Sequence, residues 1–435
     1  MRTEASPTLA RSDEQLAEGL VQVRAVFQPL VDLRDGRVRG YEALARGPED
    51  SPLAMPSGLF AAARRLGMVA EVDWACRAAA FSGALAAGLQ RPLGLFVNAE
   101  PEALGMPCPE HLLPVWLEAA RDLHLVVELT ERDLVARPAR LVHVVQQLRE
   151  LGCSIALDDV GAHPDSLTLM PILEPDVIKL DIGIVQRAPD TAAARVLHAV
   201  AAQAERTGAM IVAEGIETAE HLTTALAYGA TVGQGWLFAH PADGLDVTTG
   251  SGLAPPVRAA TLEDVGTPFT VVAERGGVRH GAAEVIRVMA RHLLEQATVL
   301  GSPPVVLCVL PGNAEGIAAT ADIDALSGLA GSSAVLGIAS HGGPAHLPDG
   351  VLRHALGETD PLTAEWDIVV VGAHFAAAVV ARRLPAGSAD GPWAFALTHD
   401  RETVITVARS LLARHAGGGS AADTTFPDLV SPVRT

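Results

Sequence analysis

The sequence predicts an α/β protein: a modified (β/α)8 barrel of the TIM type with an antiparallel first strand, plus a second, smaller α/β domain. Three observations carry this reading. The chain has 435 residues, too many for one ordinary core and suited to two. From Val21 to about Ala242, short apolar runs alternate with longer amphipathic stretches, the pattern of a mostly parallel sheet. A stretch rich in Gly, Pro, Ser and Thr at 243–266 then reads as a linker, and a second alternating series follows it.

The elements follow in order. Residues 1–20 are polar and predict a frayed N-terminus. Eight strands are expected at 26–33, 38–46, 94–98, 125–130, 154–159, 177–181, 210–215 and 232–238. Eight runs in about 220 residues match a closed barrel in size. Helical patterns lie between them, as at 141–151 and 193–205. Only Arg34-Asp35-Gly36-Arg37 joins the first two runs, and Asp-Gly signals a tight hairpin, so those strands should be antiparallel. The second domain, 267–415, has strand candidates at 269–274, 304–311, 334–339, 367–373 and 394–398. Its helix candidates are 282–297, 374–384 and 401–415, and the tail 416–435 reads as disordered.

Composition narrows the function classes. Lys and Arg number 32 against 51 Asp and Glu, a formal charge of −19 with no basic stripe, which argues against duplex nucleic acid as a partner. A small anionic ligand stays compatible, since local cations set the field in a pocket. Cys76, Cys108, Cys153 and Cys308 are scattered without a CxxC pair, which fits neither a zinc site nor a disulfide framework and suggests a reduced, cytoplasmic setting. The N-terminus lacks an apolar signal core, and the chain has no run of about 18 apolar residues, so no membrane span is expected.

The informative pattern is where the polar residues fall. Glu42, Asn98, Glu128, Asp158, Asp159, Lys179, Glu214 and Gln234 each sit at or just after an apolar strand candidate. In a barrel such positions converge on one mouth. Several carboxylates there repel one another, and a divalent cation resolves the repulsion. An all-oxygen donor set favours Mg²⁺, Mn²⁺ or Ca²⁺ over zinc. The adjacent Asp158 and Asp159 can serve two metals about 3.5–4 Å apart, an arrangement suited to phosphodiester hydrolysis. Lys179 adds a cation where phosphoryl charge develops. Read singly, each of these residues is more often a cap or a solvated group; their joint occurrence on seven runs makes the case.

These residues resemble the EAL-domain family of cyclic di-GMP phosphodiesterases. The signature stands as Glu42-Ala43-Leu44 followed by Ala45-Arg46, with FQPL (27–30), VN (97–98), ELTE (128–131), DD (158–159), IKLD (178–181), AEGIE (213–217) and QGWLF (234–238) in family order. The resemblance covers about residues 21–242. It implies that Glu42, Asn98, Glu128 and Asp158 ligate one metal, with Asp158 bridging to a second beside Asp159. It implies that Lys179 and Glu214 position or deprotonate the attacking water and that Gln234 supports them. Gln28 and Arg46 then contact a guanine and a phosphate, while Glu131 and Glu217 anchor the loop after Asp159. The implied reaction opens cyclic di-GMP to linear pGpG with Mg²⁺ or Mn²⁺, two metals in the site, Ca²⁺ being non-productive, in a homodimer.

One segment departs from the family pattern. Where FGTGYSSL is common, this chain reads Val160-Gly161-Ala162-His163-Pro164-Asp165-Ser166-Leu167. The metal ligands are intact, but Pro164 fixes φ and removes a donor, so the loop's hydrogen bonding must differ. This supports a second reading, a cyclic di-GMP receptor with weak or no turnover. Residues 267–415 resemble the DICT domain, a sensory module found beside cyclic di-GMP enzymes, through 268–274, 361–384 and 395–412. That resemblance implies regulation by an unknown ligand or protein partner. Trp366, His374, His399, Asp400 and Arg401 are its candidate polar positions, Asp400 doubling as a helix N-cap.

Overall fold

The computed structural model describes residues 19–100, 102–130, 138–162, 167–247, 258, 266–311, 326, 328–341, 350–385 and 392–417. The N-terminal 18 residues, Glu131, His163 to Ser166, most of the predicted linker and the tail from 418 lie outside the described residues.

Eight strands close a barrel in sequence order: β1 (Arg24–Asp32), β2 (Val38–Arg46), β3 (Gly94–Asn98), β4 (His124–Thr130), β5 (Ser154–Val160), β6 (Val177–Leu180), β7 (Met210–Ala213) and β8 (Val232–Gly233). As the Asp-Gly turn predicts, β1 runs antiparallel to β2; it also runs antiparallel to β8, and the remaining pairs are parallel. Gly36 takes a left-handed φ of 71° at that turn. The eighth run is strand only to Gly233, because the chain then tightens into a turn in which Phe238 N and Ala239 N both donate to Gly235 O.

Helices α1 (Pro56–Leu66), α2 (Val69–Ala86), α3 (Leu113–Asp122), α4 (Pro138–Glu150), α5 (Met170–Leu173), α6 (Ile182–Gln186), α7 (Thr191–Thr207) and α8 (Ala219–Ala227) lie between the strands. Inside the barrel, Leu30, Phe96, Val126, Ala156, Val177, Val212 and Val232 form one apolar layer. Strand side chains alternate faces with period two, so the next inward position along each parallel strand lies two residues on. Those positions are Asn98, Glu128, Asp158, Lys179, Glu214 and Gln234. Because β1 runs the other way, its counterpart is Gln28, two residues before Leu30, and Gln28 faces Glu42 of β2 directly. The rim is thus a consequence of alternation above one packed layer. Gly40 of β2 stands two residues before Glu42, and a Cβ there would come within 2.4 Å of Gly94 O, so no side chain fits.

The second unit is a seven-stranded sheet in the order β12-β11-β10-β13-β14-β15-β9. Its strands are β9 (Arg279–Gly281), β10 (Val305–Leu310), β11 (Val335–His341), β12 (Leu352–Leu356), β13 (Glu365–Val371), β14 (Ala376–Arg383) and β15 (Trp393–Thr398). Helix α10 (Ala283–Thr298) covers one face, packing with Trp366, Trp393 and Ile368. Helices α9 (Pro268–Ala273) and α11 (Arg401–Gly417) belong to the core on the other face, which is continuous with the outer core of the barrel. There Arg409 of α11 donates to Ile172 O and its guanidinium lies 2.9 Å from Glu174, while Arg206 of α7 reaches Glu402 at 2.8 Å. Arg258, within the predicted linker, sits 3.2 Å from the buried Asp176.

Two segments of the second unit differ from the sequence expectation. Of residues 269–274, read as a strand, 269–273 lie in α9 and Glu274 is its C-cap: Thr267 caps the start by accepting from Thr270 N, and Pro268 occupies the first turn. Within residues 374–384, read as a helix, Ala376–Arg383 form β14, which pairs with β13 and β15 and is buried from Ala376 to Ala381. A central strand covered on both faces reads as a continuous apolar run and carries no period to distinguish it from a buried helix. Asp400 does cap α11, accepting from Thr403 N at 3.0 Å. Trp366 stands near the start of β13 but is buried in the core at 1% exposure, and Arg401 donates to Gly372 O and Ala373 O. None of the four cysteines forms a disulfide, and no described helix is long and apolar enough to cross a membrane.

Candidate active site

At the rim, Lys179 is fully buried and its ammonium sits among four carboxylates. Nζ lies 2.7 Å from Glu128 Oε1, 2.7 Å from Glu214 Oε1, 2.9 Å from Asp158 Oδ1 and 3.4 Å from Glu42 Oε2. One positive charge against four negative ones leaves a formal surplus of three negative charges. Burial opposes the charge on Lys179, but Asp158, Glu128, Glu214 and Glu42 outweigh it and hold its pKa well above the ordinary value. Burial, then Glu42, pushes Glu128 well above the usual carboxylate range. Glu214 is raised in the same way, with Asp158 and Glu42 adding to burial. The centre is therefore short of cations.

Gln234 Nε2 donates to Glu42 Oε2 at 2.7 Å and to Gln28 Oε1 at 3.1 Å, and Gln28 Nε2 donates to Ala239 O at 3.0 Å. Asn98 Nδ2 donates to Glu42 Oε1 at 3.2 Å. Asp159 departs from strand alternation: its φ is 56°, in the left-handed region, where the pairing of β5 with β6 shifts register. This turn lets its carboxylate join that of Asp158, and the two together with Glu214 offer oxygens within 4.8 Å of one another. Burial and the Asp158 charge raise Asp159.

These residues fit a hard divalent cation. Glu128 Oε2 is buried with no hydrogen-bond donor, and so is Gln234 Oε1. Orphaned oxygens in an all-oxygen set are what a Mg²⁺ or Mn²⁺ ion satisfies. The structure thus brings together Glu42, Asn98, Glu128, Asp158, Asp159, Lys179, Glu214, Gln234 and Gln28. Arg46, at the end of β2, is half-buried and donates to its own neighbour, Ala45 O. Glu217 is exposed, its backbone N donating to His221 Nδ1. Glu131 lies outside the described residues.

A cavity of about 370 Å³ opens beside the rim, lined by Glu42, Asn98, Phe60, Arg64, Asp73 and Arg77 among others. That is within the range of small-molecule pockets. Its far wall comes from α1 and α2, which the sequence reading left unassigned. Asp73 is buried, pairs with Arg77 one turn on, and accepts from Glu100 N at 2.9 Å. Arg77 also lies 3.8 Å over the Trp74 ring. An acid and a base four apart in a largely apolar helix are the sequence signal that could have found this wall.

Several known proteins are similar to this chain. It is 30% identical over 232 residues to the cyclic di-GMP phosphodiesterase RocR of Pseudomonas aeruginosa, covering 51% of this chain and 57% of RocR. It is 31% identical over 227 residues to the probable cyclic di-GMP phosphodiesterase PdeG of Escherichia coli, covering 51% of this chain and 45% of PdeG. The chain thus spans about half the length of the curated relatives it matches. Among solved structures, the calcium and cyclic di-GMP complex of Klebsiella pneumoniae BlrP1 matches at a TM-score of 0.46 and 28% identity, over 52% of this chain and 57% of that one. The family model of the EAL domain matches residues 13–241, more than half of the 435 residues, and the chain belongs to the EAL domain family.

Proposed function

We propose that this chain hydrolyses cyclic di-GMP to linear pGpG in a reaction dependent on Mg²⁺ or Mn²⁺. The carrying observation is the cation-deficient rim, in which four carboxylates share one buried ammonium. The names of RocR and PdeG support the choice of substrate. Glu42, Asn98, Glu128, Asp158 and Asp159 would hold the ions, which supply Lewis acidity toward a phosphodiester and a nucleophilic water near neutral pH. Glu214 accepts the proton of that water at its carboxylate. Lys179 orients Glu214 and Asp158 and offers positive charge where phosphoryl charge develops. Gln234 fixes Glu42 and Gln28, Gln28 meets a guanine edge, and Arg46 turns from Ala45 O to a phosphate. The cavity beside Glu42 and Asn98 takes one nucleoside half of the ligand.

We further propose that residues 267–415 form a DICT-like sensory domain, joined through 243–266, that regulates the barrel. The α11 contact with α5 supports this, since α5 follows the segment after Asp159. A receptor without turnover is the competing reading, favoured by the departure of 160–167 from the family pattern. Incubating the purified protein with cyclic di-GMP and Mn²⁺ separates the two. Chromatographic appearance of pGpG, lost in Asp158→Asn, supports the enzyme; retained binding without product supports the receptor.

A further inference from the structure

The sequence has five tryptophans, and four are spent on cores. Trp74 and Trp116 meet edge to face with ring centroids 5.8 Å apart, Trp366 and Trp393 likewise at 6.1 Å, and each is at most 4% exposed. Trp236 is 59% exposed. An indole left that far in water contributes little to folding through burial, so its place is not explained by packing. Its aromatic neighbour is His240, whose ring lies 4.8 Å away and is tilted by 39°.

The turn that carries Trp236 is bound to the rim at both ends. On one side, Gln234 donates to Glu42 and Gln28; on the other, Ala239 O accepts from Gln28. Between them Leu237 N donates to Ile216 O, and Gly235 packs so closely that a Cβ would stand 2.1 Å from Ile216 O. The indole is held on a rigid turn two residues from a rim side chain. Resting on the proposed cyclic di-GMP reaction, the ligand brings two purines. The cavity beside Glu42 and Asn98 takes one, and its lining does not include Trp236. The second purine must lie outside that cavity.

We infer that Trp236 is the stacking platform for the second purine base of the ligand, with His240 bracing the indole. A π-face recognises a base without reading its edge, so this contact supplies affinity for any purine while the rim fixes the phosphate.

Intrinsic fluorescence tests this, because four of the five tryptophans are buried. Titrating the full chain with cyclic di-GMP in Ca²⁺ should change the tryptophan signal, and Trp236→Phe should remove that change while keeping binding. Trp236→Ala should weaken binding about 5- to 150-fold. Mn²⁺ binding to Trp236→Ala serves as the check that the rim is intact. Binding by Trp236→Ala equal to that of the unaltered chain overturns the stacking role and leaves the proposed substrate standing. An unaltered chain that does not bind cyclic di-GMP with any divalent ion overturns both.

Discussion

Among the described residues, each unit holds a buried cluster of carboxylates, one at the barrel rim and one at Glu365, and the two are built to opposite ends. At the barrel rim, four acids share Lys179, and Glu128 keeps a buried oxygen without a donor. In the second unit, Glu365 of β13 is fully buried yet saturated: it accepts from Thr267 Oγ1, from Phe269 N at 3.1 Å and from Arg382 at 2.7 and 3.0 Å. Its neighbour Asp367 is pushed well above the usual carboxylate range by burial and by Glu365, and it accepts from Ala381 N. That cluster pins α9 to the sheet. Burial of acid is therefore no mark of function by itself; the balance of cations and donors against carboxylates is what separates the two clusters. The rim sets four carboxylates against one ammonium, whereas Glu365 is met by four donors and Asp367 beside it, with Oδ2 left without a donor, is held toward its neutral form.

Breaking each cluster should have opposite consequences. Asp158→Asn or Glu128→Gln should cost about 10³-fold or more in turnover of cyclic di-GMP. Without metal, the same variants should unfold no more easily than the unaltered chain, since a repulsive charge has gone. Denaturant melts in EDTA check this. Glu365→Ala should instead cost about 3 kcal/mol of stability by stranding Arg382 and the start of α9, with Mn²⁺ affinity unchanged. Saturating Mn²⁺, at about a hundred times its dissociation constant, should add about 2.7 kcal/mol and raise the melting temperature by several degrees. EDTA should reverse this, and Glu128→Gln should abolish it.

A pH-dependent effect concerns the other end of the same strands. His124 of β4 is buried against Ser154 of β5, Nε2 to Oγ 2.9 Å, at the end away from Glu128 and Asp158. Burial, aided by Arg91, lowers its pKa from 6.5 to about 4. The unfolded chain takes up that proton near pH 6.5 and the folded chain only near pH 4. Stability is full above pH 6.5 and declines as pH falls toward 4, by at most about 3 kcal/mol. His124→Gln should flatten this limb of the stability profile.

The barrel was legible because alternation is local. Each rim residue lies two positions from an inward apolar one, and the Asp-Gly turn announced the antiparallel start. The inward set of the site was legible for the same reason. Asp159 was placed with the metal ligands by its adjacency to Asp158, but the left-handed turn that brings it round depends on a register shift with β6 that no local pattern encodes. The second unit was less legible. Ala376 to Ala381 has helix-forming composition, and only its place between β13 and β15 makes it a strand. In 268–273 the β-branched residues outweighed Thr267 and Pro268, whose capping chemistry was the better signal. Phe60, Arg64 and Asp73 were missed because they come from helices, and only the closed barrel sets them beside Glu42.

The most direct test is calorimetric titration of Mn²⁺ into the unaltered chain, Asp158→Asn, Glu128→Gln and Glu365→Gln. The account predicts binding that is lost in the two rim variants and intact in the third. Binding that survives both rim substitutions, or fails in the unaltered chain, would contradict it.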